Sequence, residues 1–210
     1  MIFDLKNIFK NQCSFDFNSI GSVALIGSSG ILLDNEYGGL IDSHNTIIRF
    51  NRAPTLEYEK NVGSKTTIRI LNGPTFASTI HPPERFSQYD PDFIPSLRGE
   101  HFFIKGYNME EFYKGVLANL NKNYINFISD SYIKYCSSFI GNHTSVGFIG
   151  LLLSVTYSDN ISVFGFDHGE IENEKRHYWE SVIPGKMHSF DTEKSIFVEY
   201  EKQNLIKIYK

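Results

Sequence analysis

The amino-acid sequence predicts a single α/β domain with a mostly parallel central sheet. Short apolar runs without charge, which are typical of buried parallel strands, alternate with segments of helical spacing. The first run, 23–26, leads directly into a glycine-serine turn at 27–30, an arrangement that brings backbone amides up to a phosphate in α/β proteins. A chain of 210 residues can bury a sizeable core as one domain over residues 1–210.

Six strands and three helices are predicted from these patterns. The helix at 144–157 has almost no charge, which indicates burial, whereas the helix at 192–203 is amphipathic. A third segment, 110–121, also has helical spacing. In chain order, the predicted strands are 23–26, 46–50, 66–71, 124–128, 161–166 and 205–209.

Two segments lie outside this regular pattern. Residues 1–20 are expected to form an N-terminal helix or arm, whose apolar face packs on the domain or on a partner, or makes a peripheral membrane contact. Residues 72–106 hold five of the seven prolines and are expected to be irregular, so 75–141 is predicted to be a variable region that shapes specificity. The apolar residues of the N-terminal face are Ile2, Phe3, Leu5, Ile8 and Phe9.

The composition excludes several classes of function. A net charge of −4 gives no support to a nucleic-acid partner. The two cysteines, Cys13 and Cys136, are too few for a disulfide scaffold and have no metal-ligand spacing. No apolar run approaches the ~20 residues that a membrane span needs, and the first residues lack the pattern of a signal peptide. These features predict a cytoplasmic protein.

Polar groups at predicted strand ends are the first candidates for ligand binding. The turn Gly27-Ser28-Ser29-Gly30 is a weak signal alone, because it has neither the Gly-Lys-Ser/Thr of a Walker loop nor a full GxGxxG pattern. Asn51 follows the strand at 46–50, at the edge where such folds hold ligands. The strand at 161–166 ends in a second glycine-rich turn, which contains Gly165 and Phe166.

The start of the buried helix is a second candidate anion site. Ser145, Val146 and Gly147 offer free amides and a helix dipole that favour a phosphate. The alternative is an ordinary N-cap followed by a glycine for close packing. The sequence leaves both interpretations open.

Two histidine-containing groups complete the candidates. The run Lys175 to Glu180, with His177, Tyr178 and Trp179, can stabilise a leaving phosphate and stack on a base or sugar, or be a charged loop with aromatic anchors. His188 precedes the last helix and is suited to act as a base, because histidine changes charge near neutral pH. Glu193, in the first turn of that helix, can cap backbone amides.

Two acidic patterns raise the question of a metal ion. Asp90-Pro91-Asp92 lies in a proline-rich segment without an apolar strand before it, and the acidic residues of 167–174 have no metal-site spacing. Solvated loops explain both patterns better, so neither a metal ion nor another cofactor is expected.

The order and spacing of these groups resemble the eukaryotic-type sialyltransferases of glycosyltransferase family 29. The long motif of that family is matched by GSSG at 27–30, Tyr37-Gly38, DSH at 42–44, RFNRAPT at 49–55 and VGSKTT at 62–67. Its short motif is matched by TSVG at 144–147 and VFGF at 163–166. Its third and very short motifs are matched by HYWE at 177–180 and by His188 with Glu193.

The resemblance implies a GT-A-like, Rossmann-like glycosyltransferase fold. Residues 75–141 do not match the family motifs and are expected to form the acceptor side. It also implies metal-independent, inverting transfer of sialic acid from CMP-sialic acid to a hydroxyl of a glycan or glycolipid acceptor. His188 would be the general base, and His177 would neutralise the departing phosphate, supported by Tyr178, Trp179 and Glu193. The donor-binding residues would be Gly27, Ser28, Ser29, Gly30, Asn51, Ser145, Val146, Gly147, Gly165 and Phe166.

The chain departs from the family pattern at four positions. Ser28 stands where the family has Asn, and Val146 stands where it has Thr or Ser. Val23 and Ser158 occupy the positions of the disulfide that joins the family's long and short motifs. The loss of both cysteines suits a reducing compartment, which favours a cytosolic enzyme of a microbe or virus.

Other functions remain open at this point. The donor can be CMP-Kdo or another nonulosonic acid, or the chain can bind CMP without catalysing transfer. A metal-dependent hydrolase built on residues 167–174 is the weakest alternative.

Overall fold

Seven strands form one sheet in which every pair of neighbouring strands is parallel. The computed structural model describes residues 7–10, 13, 15–77, 99–106, 124–167, 177–180 and 189–210. The strand order is β5-β4-β3-β2-β1-β6-β7, which confirms the predicted parallel α/β architecture. The strands are β1 Val23–Ile26, β2 Thr46–Phe50, β3 Ile68–Asn72, β4 His101–Lys105, β5 Ile125–Ile128, β6 Ile161–Phe164 and β7 Lys207–Tyr209.

Two of the α-helices begin at a serine whose hydroxyl accepts a hydrogen bond from a free backbone amide. The Ser129 hydroxyl accepts a hydrogen bond from the Tyr132 amide at the start of α4, and Gly141 ends that helix with a φ of 68°. Ser145 caps α5 in the same way by accepting from the Phe148 amide. The helices are α1 Gly38–Asp42, α2 Glu59–Val62, α3 Gly73–Ala77, α4 Asp130–Ile140, α5 Val146–Tyr157 and α6 Phe190–Lys202, with 3₁₀ turns at Phe17–Ser19 and Gly30–Asp34.

Apolar layers cover both faces of the sheet. Leu25 and Ile48 pack on one face with α4, α5 and α6, and Ala24 and Ile47 pack on the other with α1 and α2. Neighbouring strand residues therefore face opposite layers, as the pleat requires. Because β1 and β2 are buried on both sides, their runs are continuously apolar rather than alternating.

Most predicted elements are present, with shifted ends. β1 and β2 have the predicted bounds, whereas β6 ends at Phe164 because Gly165 turns with a φ of 69°. The prediction that 72–106 is irregular is wrong at both ends, since α3 lies at its start and β4 lies at its end, between β3 and β5. Helix α4 was not predicted at all. The predicted helix at 110–121 lies outside the described residues.

The described residues of the N-terminal arm form no α-helix, and its regular structure there is the 3₁₀ turn at Phe17–Ser19. Phe9 forms an antiparallel bridge with Ile128, and the amide of Lys10 donates to the carbonyl of Phe127 at 2.8 Å. Ile8 is buried. The arm thus packs on the domain and covers the free edge of β5, which protects that edge from pairing with other chains. Membrane contact through the N-terminal segment stays a prediction.

The described residues contain two free cysteines and no helix with the length and apolar character needed to cross a bilayer. Burial raises the pKa of the Cys136 thiol to about 12 and that of Cys13 to about 11. Both thiols therefore stay protonated, and weakly nucleophilic, at neutral pH.

Two buried arginines lie side by side on β2 and β3. Arg49 is paired in register with Arg69, and both side chains are buried. Arg69 makes two bonds to the Glu100 carboxylate, at 2.6 and 3.2 Å. Arg49 instead donates to backbone carbonyls, including those of Val62 at 2.6 Å and Lys65 at 2.9 Å. These bonds tie β3 to the residue that precedes β4, and β2 to the chain that leads into β3.

Replacing Arg69→Met is expected to lower the free energy of unfolding by about 3–5 kcal/mol, because it leaves the Glu100 carboxylate buried without a partner. The matched control is Lys60→Met, which breaks an exposed ion pair with Glu36 of 2.7 Å and is expected to cost less than about 1 kcal/mol. Urea denaturation measures both values. Equal losses for the two variants would contradict a special role for the buried pair.

Candidate active site

The turns that follow β1 and β6 are bonded to each other at the carboxyl edge of the sheet. The Gly27 amide donates to the Phe164 carbonyl at 2.7 Å, and the Ser29 amide donates to the Gly165 carbonyl at 3.1 Å. A Cβ atom at Gly27 would overlap the Gly165 carbonyl oxygen, so only glycine permits this close approach. The two predicted glycine turns therefore form one surface.

The 177–180 segment is attached to this surface through its backbone. The Tyr178 amide donates to the Ser28 carbonyl at 2.9 Å, and the Tyr178 hydroxyl donates to the Pro54 carbonyl. Burial raises the pKa of Tyr178 to about 12, so the phenol stays neutral and acts as an anchor. The sequence suggested no contact between these segments, which lie about 150 residues apart.

His177 is thereby held next to the β1 turn. Its Nδ1 donates to Glu180 Oε1 at 3.1 Å, and its ring stacks on Trp179 with centroids 4.5 Å apart and planes inclined by 16°. Because Nδ1 is used in this bond, Nε2 is the nitrogen that can act on a ligand. The side chain is 29% exposed, which leaves it accessible.

Asn51 occupies the adjoining strand end in a left-handed conformation, with a φ of 46°. Arg69 donates to the carbonyls of Asn51 at 3.0 Å and Ala53 at 2.9 Å. The Asn51 side-chain oxygen accepts from the Asn72 amide at 3.0 Å. The side-chain NH₂ of Asn51 remains as the group able to donate to a ligand.

The start of α5 is held by a buried carboxylate from α6. Glu193, which is 2% exposed, accepts from the Ser145 amide at 2.9 Å and from the Ser145 hydroxyl at 2.7 Å. Glu193 does lie in the first turn of α6, but it binds the N-terminus of another helix. Both donors of Ser145 are thus used within the protein, which leaves the Val146 and Gly147 amides to meet an anion.

Phe166 packs at the junction of β6, α5 and α6. Its ring lies 5.0 Å from that of Phe197 and 5.9 Å from that of Phe50. A Cβ atom at Gly147 would lie 2.8 Å from Phe166 Cε1, so the glycine allows the helix to approach the ring. The half-buried ring forms an apolar wall beside the first turn of α5.

Sequence reasoning missed Lys105, the last residue of β4. Its ammonium group donates to the Thr144 carbonyl, just before α5. Burial lowers the pKa of Lys105, and the nearby Glu193 carboxylate opposes this effect. The only sequence signal was a lysine after three apolar residues, and it was hidden because this stretch was predicted to be loop.

Several residues of the long motif make hydrogen bonds to the backbone and do not face the carboxyl edge of the sheet. The Asp42 carboxylate accepts from the Ser64 amide at 2.9 Å and the Lys65 amide at 3.0 Å. Burial alone would raise the pKa of Asp42, but these hydrogen bonds bring it below its usual value. His44 Nδ1 donates to the Leu40 carbonyl at 2.9 Å. These contacts hold the segments before and after β2 in place.

Some predicted site residues cannot be placed. His188, Asp90 and Asp92 lie outside the described residues, as does most of the acidic stretch 167–174. Ser189, the next residue after His188, accepts a hydrogen bond from Asn142 Nδ2 at 3.3 Å. In the described ranges, no group of three or more His, Cys, Asp or Glu side chains can hold a metal ion.

The sequence matches the model of glycosyltransferase family 29 (sialyltransferase) over residues 1–205. It is 28% identical over 205 residues to a mouse CMP-N-acetylneuraminate-beta-galactosamide-alpha-2,3-sialyltransferase 2, covering 89% of this chain and 56% of the relative. It is also 28% identical over 212 residues to the Beta-1,6-galactosyltransferase GALT29A of Arabidopsis thaliana, covering 86% and 50%. The chain spans about a third to a little over half the length of its curated relatives.

The fold is similar to that of a solved mammalian sialyltransferase in complex with Gal-beta-1-3GalNAc-ortho-nitrophenol. The TM-score is 0.72 at 22% identity, and the match covers 97% of this chain and 75% of the other. At this identity the similarity establishes a shared fold, with the same kind of layered α/β architecture.

Replacing Gly27→Ala is expected to lower the free energy of unfolding by about 1–3 kcal/mol, because the new methyl group forces the two turns apart. Gly39→Ala is the control, since a Cβ atom there meets nothing within 4 Å and alanine favours the helix. Thermal denaturation compares the two variants. If both variants keep wild-type stability, the close approach of the two turns does not contribute to the free energy of unfolding.

Proposed function

The chain belongs to glycosyltransferase family 29, and we propose that it transfers a sialic acid from CMP-sialic acid to a hydroxyl of a glycan or glycolipid acceptor. The observation that carries this proposal is the attachment of 177–180 to the 27–30 turn, through the bond from the Tyr178 amide to the Ser28 carbonyl. This contact joins two family motifs at the sheet edge where ligands bind in parallel α/β folds. We also propose that the fold is the GT-A-like variant.

The proposed donor site lies across the carboxyl ends of β1, β2 and β6. The phosphate of CMP is assigned to the Gly27–Gly30 turn and the Val146 and Gly147 amides, since backbone N–H groups and a helix N-terminus favour an anion. The Asn51 amide group donates on the ribose side, and Phe166 forms an apolar wall beside the nucleotide. Gly165 keeps the second turn close to the first.

His177 is assigned to the leaving group. Glu180 accepts from Nδ1 at 3.1 Å, which leaves Nε2 as the ring nitrogen that binds the phosphate as the bond to the sugar breaks. The stack on Trp179 restricts rotation of the ring. A monophosphate develops less charge than a diphosphate, so protein donors can take the place of a metal ion.

His188 is assigned as the general base. It accepts the proton of the acceptor hydroxyl while that oxygen attacks the anomeric carbon of the donor sugar. The bond from this carbon to the CMP oxygen breaks on the opposite side, so the configuration inverts and CMP leaves with the bonding electrons. Because Glu193 joins the start of α6 to α5, the chain that follows His188 is fixed to the donor site.

The departures from the family pattern affect the donor side. The Ser28 hydroxyl is shorter than the asparagine amide that it replaces, and Val146 offers no hydroxyl. Both changes shift phosphate binding from side chains to backbone amides. Among the relatives, one is named a galactosyltransferase, so the donor is the feature to test first.

A donor screen tests the proposed activity directly. CMP-Neu5Ac, CMP-Kdo and UDP-galactose are incubated separately with a mixed panel of glycans, and the products are identified by mass spectrometry. Transfer from CMP-Neu5Ac is expected. Transfer from CMP-Kdo alone would support the nonulosonic-acid alternative, and binding of CMP without any product would support the non-catalytic alternative.

The variant His188→Ala is expected to lower kcat at least a hundredfold through loss of the general base. Its Kd for CMP, measured by isothermal titration calorimetry, is expected to stay within about twofold of wild type, because the base faces the acceptor. His143→Ala, which changes an exposed histidine of the α4–α5 connection, is the matched control for binding. Wild-type turnover in His188→Ala would show that the base lies elsewhere.

Transfer is expected to continue at an unchanged rate in excess EDTA, because the assigned phosphate partners are all protein groups. The measurement is the initial rate with and without chelator, after dialysis of the enzyme. Loss of activity that Mn²⁺ restores would overturn this expectation and point to Asp90 and Asp92.

A further inference from the structure

Lys105 is a half-buried cation, and the start of a helix is an unfavourable place for a positive charge without a partner. It ends β4 at the carboxyl edge of the sheet, and its ammonium group donates to the Thr144 carbonyl. Thr144 directly precedes the N-cap of α5. The positive end of the helix dipole repels an ammonium group there, and removal from water adds a further cost.

Glu193 is a buried anion at the same helix end. Its carboxylate is 2% exposed, and it accepts from the amide and hydroxyl of Ser145. A buried carboxylate is stable only when opposite charge or several donors surround it. Lys105 lies close enough to interact with it electrostatically.

The two charged groups therefore hold one peptide unit from two sides. Lys105 binds the carbonyl of Thr144, and Glu193 binds the amide of the next residue, Ser145. This peptide unit immediately precedes Val146 and Gly147, the amides assigned above to the donor phosphate. A small rotation of the unit would turn those amides away from the ligand.

We propose that Lys105 is a positioning residue of the donor site, in which its ammonium group is the counter-charge of Glu193 and the pair fixes the first turn of α5 for phosphate binding. The inference rests on the proposed function, because it assigns those amides to CMP. Lys105 acts through α5 and needs no contact with the donor.

The charge of Lys105, rather than its hydrogen bond alone, carries this role. A neutral donor would also bind the Thr144 carbonyl, but it would remove the positive charge that Lys105 places near Glu193. Lys105→Arg keeps the charge and a donor, whereas Lys105→Met keeps the length and removes both. Lys134→Met is the matched control, since Lys134 is exposed on α4.

The affinity for CMP and the rate of backbone hydrogen–deuterium exchange are measured on the wild type and on Lys105→Met, Lys105→Arg and Lys134→Met. Lys105→Met is expected to raise the Kd for CMP and the KM for the donor about tenfold or more, with a smaller change in kcat. It is also expected to speed hydrogen–deuterium exchange in peptides covering 144–148. Lys105→Arg and Lys134→Met are expected to remain near wild type in both measurements.

A double variant separates charge pairing from simple damage to the fold. If Lys105 balances Glu193, Glu193→Gln combined with Lys105→Met weakens CMP binding by less than the product of the two single effects. Independent effects would overturn the pairing. So would an unchanged Kd and unchanged exchange in Lys105→Met, or a Lys105→Arg variant as impaired as Lys105→Met.

If the proposed function is wrong, the experiments give a result that differs from a failure of the Lys105 proposal. A wild-type protein that does not bind CMP would overturn the CMP assignment. The exchange measurement then still decides the inference, because it needs no ligand: faster exchange at 144–148 in Lys105→Met, but not in Lys105→Arg, supports the counter-charge role.

Discussion

The carboxyl edge of the sheet depends on the buried guanidinium of Arg69. It pairs with Glu100 at 2.6 Å and at the same time donates to the carbonyls of Asn51 and Ala53. Asparagine enters the left-handed region more readily than other non-glycine residues, and these bonds hold the turn at Asn51 in that conformation. The turn after β1 and the 177–180 segment lie beside this end of β2, which the bonds from Arg69 hold in one conformation.

Charged residues in this chain hold the backbone of the site more often than they face it. Arg49, Arg69 and Glu193 are all buried, and each binds backbone groups as well as, or instead of, an opposite charge. Such a group orders several chain segments at once, because its fixed donors or acceptors admit few arrangements. The surfaces left for a ligand are mostly backbone amides and two half-buried rings, Phe166 and His177.

The first strand and α5 are linked without a disulfide. At the two positions that the sequence resemblance matches to a pair of cysteines in the family, Val23 lies in β1 and Ser158 caps the end of α5. The Ser158 hydroxyl donates to the Gly21 carbonyl at 2.7 Å, two residues before Val23. A hydrogen bond of this kind contributes about 1 kcal/mol, less than the 2–4 kcal/mol typical of a disulfide. Helix α5 also packs on β1, β2 and β3, so apolar contacts add to this hydrogen bond at the junction.

The sequence by itself determined β1, β2, the glycine turn, the N-cap at Ser145 and the family motifs. Each of these rests on neighbouring residues: an apolar run, a residue type that permits a turn, or a capping hydroxyl. Only the tertiary structure revealed β4, α4, the partner of Glu193 and the place of Lys105. The bonds from Lys105 to Thr144 and from Ser145 to Glu193 join residues 39 and 48 positions apart. No local pattern encodes such pairs, because burial and charge balance arise only when distant segments pack together.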